Sequence, residues 1–308
     1  MKHPLVLLAA LILFLTSACR NGNTTENTDT ATPATATDTP ANGQGVSLLC
    51  ASDNALFVAL TDMENEMNIA LFRGSANDEL LAQLMPTGAM RSSINAFLVI
   101  ESSEYLENDR KPHRILFDAG LGADKGGQMM TNLKEEADPS EIDAIFLTHL
   151  HADHIGGLLL DGQKAFPNAT IYLSQEELEA WSDRGPFADR NGLWKEVQKA
   201  YKGCIKTFRD GERLCDGLVE AILAPGHTPG HTVYKVDGGT CYMVGDLLHV
   251  QDLQIDHPEF CASFDHDPTL AVQTRKRFLN LLNDGSKYMA AAHCYDHFIN
   301  LHDRAENL

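Results

Sequence analysis

Three histidines and a carboxylate lie within six residues near the middle of this chain. The segment reads THLHADHIGG over residues 148–157, and the apolar run IDAIFL comes directly before it. A short β-branched and aromatic run predicts a buried strand, and the following Gly-Gly and leucines allow a helix to start. The cluster is therefore predicted on a strand-to-helix loop, where side chains can converge. Because zinc and its first-row neighbours prefer imidazole and carboxylate ligands, the segment predicts a metal site rather than a polar surface loop.

Three further candidate ligands also follow predicted strands. His227 lies in the segment APGHTPGH, where proline and glycine fix a tight loop. Asp246 follows a strand predicted at residues 240–244, and His293 follows one predicted at residues 287–292. Seven ligands are too many for one tetrahedral zinc, and they suit two metals that share a carboxylate. The full candidate set is His149, His151, Asp153, His154, His227, Asp246 and His293.

The segment HLHADH resembles the HxHxDH signature of the metallo-β-lactamase superfamily, and the three later candidates follow in that family's order. The resemblance covers almost the whole chain from about residue 46 onward. It is most similar to the branch that contains methyl parathion hydrolase and the acyl-homoserine lactonases. The resemblance implies an α/β fold, a four-layer αββα sandwich of two β-sheets with helices outside. The periodicity of the sequence by itself indicates only mixed α and β structure.

The resemblance also implies a role for individual residues. Asp118 matches a family aspartate that supports the metal loop without binding metal, and capping of a strand by this turn residue is a compatible alternative. His231 is expected to be structural, because in the family the first histidine of its loop binds the metal. The expected ligands are His149, His151 and His227 for a first metal, Asp153, His154 and His293 for a second, and Asp246 as the bridge.

The implied cofactor is a pair of divalent metal ions, with zinc expected, although manganese, iron and cobalt accept the same nitrogen and oxygen ligands. Two cations about 3.5–4 Å apart lower the pKa of a shared water, so that a bridging hydroxide serves as the nucleophile. They also polarise the scissile carbonyl or phosphoryl oxygen. Asp153 is the expected catalytic residue, because in the family it sits beside the hydroxide and passes a proton to the leaving group.

Asp246 helps to choose between branches of the family. True metallo-β-lactamases usually lack a bridging carboxylate there, so the resemblance favours lactonase, esterase and phosphotriesterase chemistry. Glyoxalase II shares the bridging aspartate but needs a basic patch for glutathione, and residues 304–308 show little of one. The predicted function is hydrolysis of an ester, lactone or organophosphate, with a small molecule as substrate. A β-lactam hydrolase and a catalytically silent metal-binding module are the alternatives.

The first 45 residues are predicted to lie outside the folded domain. Residues 1–18 resemble a bacterial lipoprotein signal peptide, with an apolar run too short to span a bilayer, and Cys19 is the expected lipidation site. Ordinary signal cleavage nearby is the alternative. Residues 19–45 are rich in threonine and have little to bury, which predicts a disordered tether to a hydrolase domain at residues 46–308. The expected location is the bacterial cell envelope, in the periplasm or outer membrane, with a membrane partner through the lipid anchor.

The formal net charge of -19 argues against a nucleic-acid partner, which would require a basic face. Relatives often form dimers, so a homodimer is compatible with the resemblance, but no surface pattern in the sequence indicates one. Substrate choice is expected to depend on two loop-rich segments. Residues 181–202 form either a flap over the substrate or a packed surface insert, and residues 247–267 follow Asp246.

Several local predictions concern the rest of the domain. Residues 56–60 and 68–72 are predicted as two strands, and Ser174 with Glu177 as a helix capping box. Cys204 and Cys215 flank a predicted hairpin with a turn at Asp-Gly, so they either form a disulfide or remain buried thiols. Residues 263–268 resemble a segment of the methyl parathion hydrolase branch without a role that the sequence assigns.

Overall fold

The computed structural model describes residues 45–104, 106 and 110–306. The predicted signal peptide, Cys19 and the tether as far as residue 44 lie outside the described residues, so the division of the chain remains a prediction. Within these ranges, no helix has both the length and the apolar character needed to span a bilayer. The described residues form two β-sheets that pack face to face, with helices on both outer sides.

The first sheet has seven strands in the order β1-β2-β3-β4-β5-β8-β9. Its pairing is antiparallel from β1 to β4 and parallel from β4 to β9. Its strands are β1 (Val46–Leu49), β2 (Ala55–Asn68), β3 (Ala89–Glu101), β4 (Arg114–Phe117), β5 (Ala144–Phe146), β8 (Thr170–Ser174) and β9 (Ile205–Phe208). A small separate hairpin consists of β6 (Leu159–Leu160) and β7 (Gln163–Lys164).

The second sheet has five strands in sequential order, antiparallel up to β13 and parallel between β13 and β14. Its strands are β10 (Arg213–Leu214), β11 (Val219–Leu223), β12 (Thr232–Val236), β13 (Cys241–Gly245) and β14 (Tyr288–Ala291). The helices are α1 (Asp78–Leu84), α2 (Met129–Glu136), α3 (Ala152–Ile155), α4 (Gln175–Ala180), α5 (Gly192–Ala200), α6 (Gln251–Gln254), α7 (Pro268–Leu282) and α8 (Leu301–Glu306).

Side chains that alternate along the strands fill the layers between sheets and helices. On β2, Phe57 packs in the core between the two sheets, whereas the next residue, Val58, packs in the core under the outer helices. Trp194 of α5 is buried in that outer core, and Phe278 of α7 is buried against the other side of the second sheet. The layers are therefore helix, sheet, sheet and helix, and the predicted αββα sandwich is confirmed.

Two of the local predictions are wrong. Strand β2 continues to Asn68, and residues 69–71 form a 3-10 turn instead of a new strand. β9 and β10 belong to different sheets, so no hairpin joins them and the chain crosses from one sheet to the other there. Cys204 and Cys215, which flank this crossing, are free thiols, and Cys204 Sγ accepts a hydrogen bond from Lys164 Nζ at 3.1 Å.

The carboxyl ends of five strands meet at one edge of the sandwich. β4 leads directly into Asp118, β5 into the HLHADH loop, β11 into the loop of His227, β13 into Asp246 and β14 into the segment of His293. Rigid strands therefore deliver polar side chains to one place, which is the common position of ligand sites in sheets with parallel strands.

Candidate metal centre

The seven predicted ligands lie together in one ligand cluster, which consists of His149, His151, Asp153, His154, His227, Asp246 and His293. They divide into two groups whose ligand atoms are mutually within 4.8 Å. The first group contains His149, His151, His227 and Asp246, and the second contains Asp153, His154 and His293. This division agrees with the one that the family resemblance implies, whereas the role of each residue as a ligand stays a prediction.

Three imidazole nitrogens of the first group form a tight triangle. His151 Nδ1 lies 2.9 Å from His149 Nε2 and 2.9 Å from His227 Nε2, and the latter two atoms are 3.2 Å apart. His149 and His151 reach the triangle from the loop after β5, and His227 reaches it from the loop after β11. Two sheets therefore contribute to the same group.

The Asp246 carboxylate lies between the two groups. Its Oδ2 is 3.3 Å from His227 Nε2 and 3.7 Å from His149 Nε2. Its Oδ1 is 3.0 Å from His154 Nε2 and 3.2 Å from His293 Nε2. Each oxygen thus faces a different group, which is the arrangement that a shared carboxylate requires.

Hydrogen bonds on the outer side of the cluster fix which imidazole nitrogen faces inward. His154 Nδ1 donates to Asp118 at 2.8 Å, His227 Nδ1 to Asp265 at 2.9 Å and His293 Nδ1 to the Ser93 carbonyl at 2.7 Å. With Nδ1 as the outward donor, the lone pair of the neutral form of each ring lies on Nε2. The inner side of the cluster therefore presents lone pairs and carboxylate oxygens, which is how histidine ligands are commonly oriented toward a metal.

Two buried ligand atoms of the cluster have no hydrogen-bond partner within the described protein. His154 Nε2 and Asp246 Oδ1 are buried and accept no hydrogen bond there, although buried polar atoms are normally satisfied. Burial alone would raise the pKa of Asp246, but the surrounding histidines lower that pKa well below its usual range. Inward lone pairs around an ionised carboxylate fit divalent cations of the zinc type.

Asp118 occupies the supporting position that the sequence predicts. Besides His154, its carboxylate accepts hydrogen bonds from the backbone N–H of Thr148 at 2.8 Å and from Thr148 Oγ1 at 2.8 Å. Thr148 Oγ1 in turn lies 3.1 Å from His149 Nδ1. One buried carboxylate therefore orients a residue of each group. Its positive φ of 57° also places it at the turn after β4.

Asp265 supports the His227 ring, a role that the sequence did not predict. It lies in residues 263–268, the segment to which the sequence assigns no role. Its Oδ1 accepts from His227, and its Oδ2 lies 3.4 Å from the buried guanidinium of Arg275. Arg275 is itself held by the carbonyls of Leu247 and Phe260 at 2.7 and 2.9 Å. The series of contacts from Arg275 through Asp265 therefore fixes the ring of His227, one of the candidate ligands.

Replacing Asp265 with asparagine should lower the affinity for the first cation about 10–100-fold, the usual effect of removing such a support. The amide would either present N–H groups to His227 Nδ1 or accept its hydrogen bond without the negative charge. Zinc titration against a chromogenic chelator measures the effect. Asp161→Asn, at an exposed turn of the β6-β7 hairpin, is the matched control and should bind zinc like the wild type. Equal affinity in Asp265→Asn and the control would contradict this role.

Two further histidines have clear structural positions. His231 donates from Nδ1 to the Ala224 carbonyl at 3.1 Å and accepts at Nε2 from the backbone N–H of Asp246 at 3.0 Å. Burial lowers its pKa to about 3, so the ring is neutral and holds Asp246 in place through the main chain. His297 lies 2.7 Å from Ser47 Oγ and 2.8 Å from Thr61 Oγ1 through its two nitrogens. The contacts of His231 agree with its expected structural role.

His249 is a histidine at the cluster for which the sequence predicts no specific role. It is fully buried, its Nε2 lies 3.3 Å from Asp246 Oδ2, and neither ring nitrogen has a hydrogen-bond partner among the described residues. Its ring lies against Phe264, with centroids 4.7 Å apart. A fifth imidazole therefore contributes to the polar environment of Asp246.

Aromatic side chains border the cluster on the side of His151. Trp181 and Phe187 stack with their centroids 4.9 Å apart, and they lie 5.6 and 6.1 Å from the His151 ring. Phe187 also contacts His266, at 5.2 Å. Residues 181–202, the segment predicted as a flap or an insert, thus bury their first aromatic side chains beside the cluster. The segment then forms helix α5.

The fold and the site together define a known class of protein. The family model of the metallo-beta-lactamase superfamily matches residues 106–293, which is more than half of the chain. The protein belongs to this superfamily, as the HLHADH motif indicates.

Two solved structures are similar over most of their length. A hydrolase of the beta lactamase superfamily called AbOPH is 29% identical, with a TM-score of 0.72 over 84% of this chain and 94% of that one. AidC, described as a dizinc quorum-quenching lactonase, is 26% identical, with a TM-score of 0.69 over 82% of this chain and 92% of that one.

Similarity to curated sequences is shorter. A hydroxyacylglutathione hydrolase of Aeromonas salmonicida (strain A449) is 34% identical over 112 residues, which are 35% of this chain and 34% of that protein. The chain spans less than half the length of the curated relatives that it matches first.

Proposed function

We propose that this protein is a metal-dependent hydrolase that acts on an ester, a lactone or an organophosphate and uses two divalent cations, with zinc as the expected metal. The observation that carries the proposal is the Asp246 carboxylate, whose two oxygens face two separate groups of inward lone pairs. A single-metal site would not require this arrangement. The likeness to AidC, a dizinc lactonase, supports the same choice.

The residues that would hold the cations are the two groups of the ligand cluster, with Asp246 common to both. When bound, the cations would activate a water molecule for attack and withdraw charge from the scissile carbonyl or phosphoryl group. Asp118 and Asp265 keep the histidine rings oriented before the substrate arrives. This preorganisation is the main contribution of the protein, because the donors need not rearrange during the reaction.

Asp153 is the residue we assign to proton transfer. Its side chain is 28% exposed, whereas those of His154 and Asp246 are 1% and 4% exposed, so it lies at the open side of the cluster. Its Oδ2 lies 3.5 Å from His293 Nε2 and 3.8 Å from His154 Nε2. A carboxylate in this position can receive a proton released by the attacking water and pass it to the leaving group.

The aromatic border supports a substrate with an apolar part. Trp181 and Phe187 pack beside His151, and Phe264 packs beside His249. Aromatic and apolar walls with a few fixed polar groups are typical of small-molecule sites. A neutral or hydrophobic ester or lactone would therefore place its acyl or aryl group against these rings while its scissile bond lies at the cluster.

A hydrolysis panel tests the proposal. Initial rates are measured for the zinc-loaded protein on an acyl-homoserine lactone, an aryl ester, a phosphotriester and a β-lactam, each with and without a chelator. Turnover of the lactone, ester or phosphotriester should exceed β-lactam turnover, and the chelator should remove it because the protein itself offers no activated nucleophile in the cluster.

Each alternative gives a distinct result in this panel. Fast turnover of the β-lactam alone would overturn the argument from the bridging carboxylate. A protein that binds zinc but hydrolyses none of the four substrates would contradict the proposed reaction and favour a silent metal-binding module. Chelator-resistant turnover would contradict the metal dependence.

Export, lipid attachment at Cys19, location in the bacterial cell envelope, dimer formation and the lack of a nucleic-acid partner remain predictions from the sequence. They are compatible with the proposed hydrolase, because a lipid-anchored domain on a tether can act on small molecules that reach the cell envelope.

A further inference from the structure

Glu177, in the first turn of α4, is buried with 1% of its surface exposed, and its carboxylate accepts four hydrogen bonds. The sequence predicts that it completes a capping box with Ser174. The structure confirms only half of that box, because Ser174 Oγ accepts from the Glu177 backbone N–H at 3.0 Å. The Glu177 carboxylate is used elsewhere, and its partners lie 4 to 53 residues away in the chain.

The two carboxylate oxygens serve different loops. Oε1 accepts from the backbone N–H of Leu150 at 3.1 Å and from the indole N–H of Trp181 at 2.7 Å. Oε2 accepts from Thr228 Oγ1 at 2.7 Å and from the backbone N–H of Gly230 at 3.0 Å. Leu150 stands between two ligands of the first group, His149 and His151, while Thr228 directly follows the third, His227.

The chemistry of these contacts requires a carboxylate. All four partners are donors, and only an ionised carboxylate offers two oxygens that accept without donating. A glutamine would place N–H groups against at least one backbone N–H, because neither Leu150 nor Gly230 can reverse its role. Burial raises the pKa of Glu177 and the four donors oppose that rise.

Close packing at Gly230 gives independent support. A Cβ added at Gly230 would lie 2.0 Å from the backbone nitrogen of Glu177 and 2.5 Å from Ser174 Oγ. Ser174 Oγ also donates to the Gly230 carbonyl at 2.7 Å. The start of α4 therefore abuts the His227 loop main chain to main chain, and the carboxylate extends from this contact to the HLHADH loop.

We propose that Glu177 is a positioning residue that fixes the His227 loop relative to the loop of His149 and His151, and so keeps the first group arranged for its cation. The same carboxylate holds Trp181, which borders His151, so it also links the aromatic border to the first group. The second group receives no contact from Glu177 and is affected only indirectly. The inference rests on the proposed two-cation function.

The test compares Glu177→Gln with Glu176→Gln, an exposed neighbour on the same helix that undergoes the same change of charge. Stepwise zinc titration against a chromogenic chelator yields two dissociation constants for each protein. We expect Glu177→Gln to weaken one constant about 10-fold and leave the other within about threefold of the wild-type value. The Co²⁺-loaded variant should also show a changed visible absorption band, because that band reports the geometry around the metal. Glu176→Gln should match the wild type in both measurements.

A purely structural role would give a different result, namely a lower melting temperature with both zinc constants unchanged or equally weakened. That result would overturn the inference.

If Glu177→Gln does not fold, as judged by its circular dichroism, Thr228→Val decides the question, since it removes one donor and keeps the main chain. It should weaken one of the two zinc constants at least about threefold, and two unchanged constants would overturn the inference. A wild-type protein that takes up no zinc would overturn the proposed function and this inference with it, whereas normal uptake with unaltered variants would overturn the inference alone.

Discussion

Asparagine in place of Asp246 should lower the hydrolysis rate by at least about two to three orders of magnitude, comparable to the loss of one preorganised charge-stabilising group. The reason is the position of the carboxylate, which supplies an oxygen to each group. An amide has one carbonyl oxygen and no charge, so it can serve one cation at most. Zinc stoichiometry should accordingly fall from two to one or fewer per chain, measured on protein separated from free metal.

The same substitution should also affect the metal-free protein. Burial disfavours the charged forms of His154 and His293, but the Asp246 carboxylate outweighs it and raises the pKa of both rings. Asparagine carries no charge and removes this attraction, so the metal-free variant should melt at or below the temperature of the metal-free wild type. Zinc should stabilise the wild type strongly, by about 4 kcal/mol at 1,000 times the dissociation constant, and the variant much less.

Asp161→Asn serves again as the control and should keep the wild-type rate, stoichiometry and zinc-induced stabilisation. Two findings would contradict the assignment of Asp246. One is a variant that retains two zinc ions with unchanged affinity. The other is a turnover within about threefold of the wild type under saturating zinc.

The position of the ligand cluster was predictable because its signal is local. Each of the candidate residues follows a predicted strand closely, and strands that end at one edge of a sheet bring such residues together. His231 could also be assigned a structural role before its contacts were known, since the resemblance places the metal ligand at His227. Both inferences depend on short stretches of sequence, where spacing and residue type carry the information.

Glu177 and Asp265 were missed for the opposite reason. A glutamate in the first turn of a helix is ordinary, and nothing near Glu177 in the sequence indicates that its partners lie in loops 27 and 51 residues away. Asp265 likewise meets His227 across 38 residues. A buried carboxylate has no sequence period of its own, so its burial and its partners become visible only when the strands are assembled.

The wrong local predictions have similar causes. In the outer part of β2, the exposed Glu64 and Glu66 alternate with half-buried methionine and asparagine side chains, so this part has the period of a strand with one face in solvent. A turn at Asp-Gly joins β9 to β10, and the same turn chemistry serves a hairpin or a crossing between sheets. The choice between these depends on which sheet each short strand joins, and that is decided by long-range packing.

Alanine in place of Gly157 should unfold or severely destabilise the protein, by at least about 3 kcal/mol, because the added methyl group has no space. Its Cβ would lie 2.0 Å from the Ala119 carbonyl oxygen and 2.9 Å from Met129 Cε. The turn that contains Gly157 directly follows α3, which carries His154, and Gly157 N–H donates to the Gly120 carbonyl at 3.2 Å. The substitution pushes this segment away from the loop that begins with Asp118, so zinc affinity should fall together with stability.

Gly192→Ala separates this steric effect from the general effect of replacing glycine. Gly192 is the first residue of α5, and no atom outside its immediate neighbourhood lies within 4 Å of the Cβ position. Since alanine favours a helix over glycine, this control should be neutral or stabilising by up to about 1 kcal/mol. Urea unfolding of the metal-free proteins measures both differences.

If the free energy of unfolding of Gly157→Ala stayed within about 0.5 kcal/mol of the wild-type value, the backbone contact between residues 119–121 and 156–157 would not be what positions His154 against Asp118. If it unfolded more easily yet bound zinc normally, the cluster would be organised independently of that contact, and Asp118 alone would suffice to orient His154.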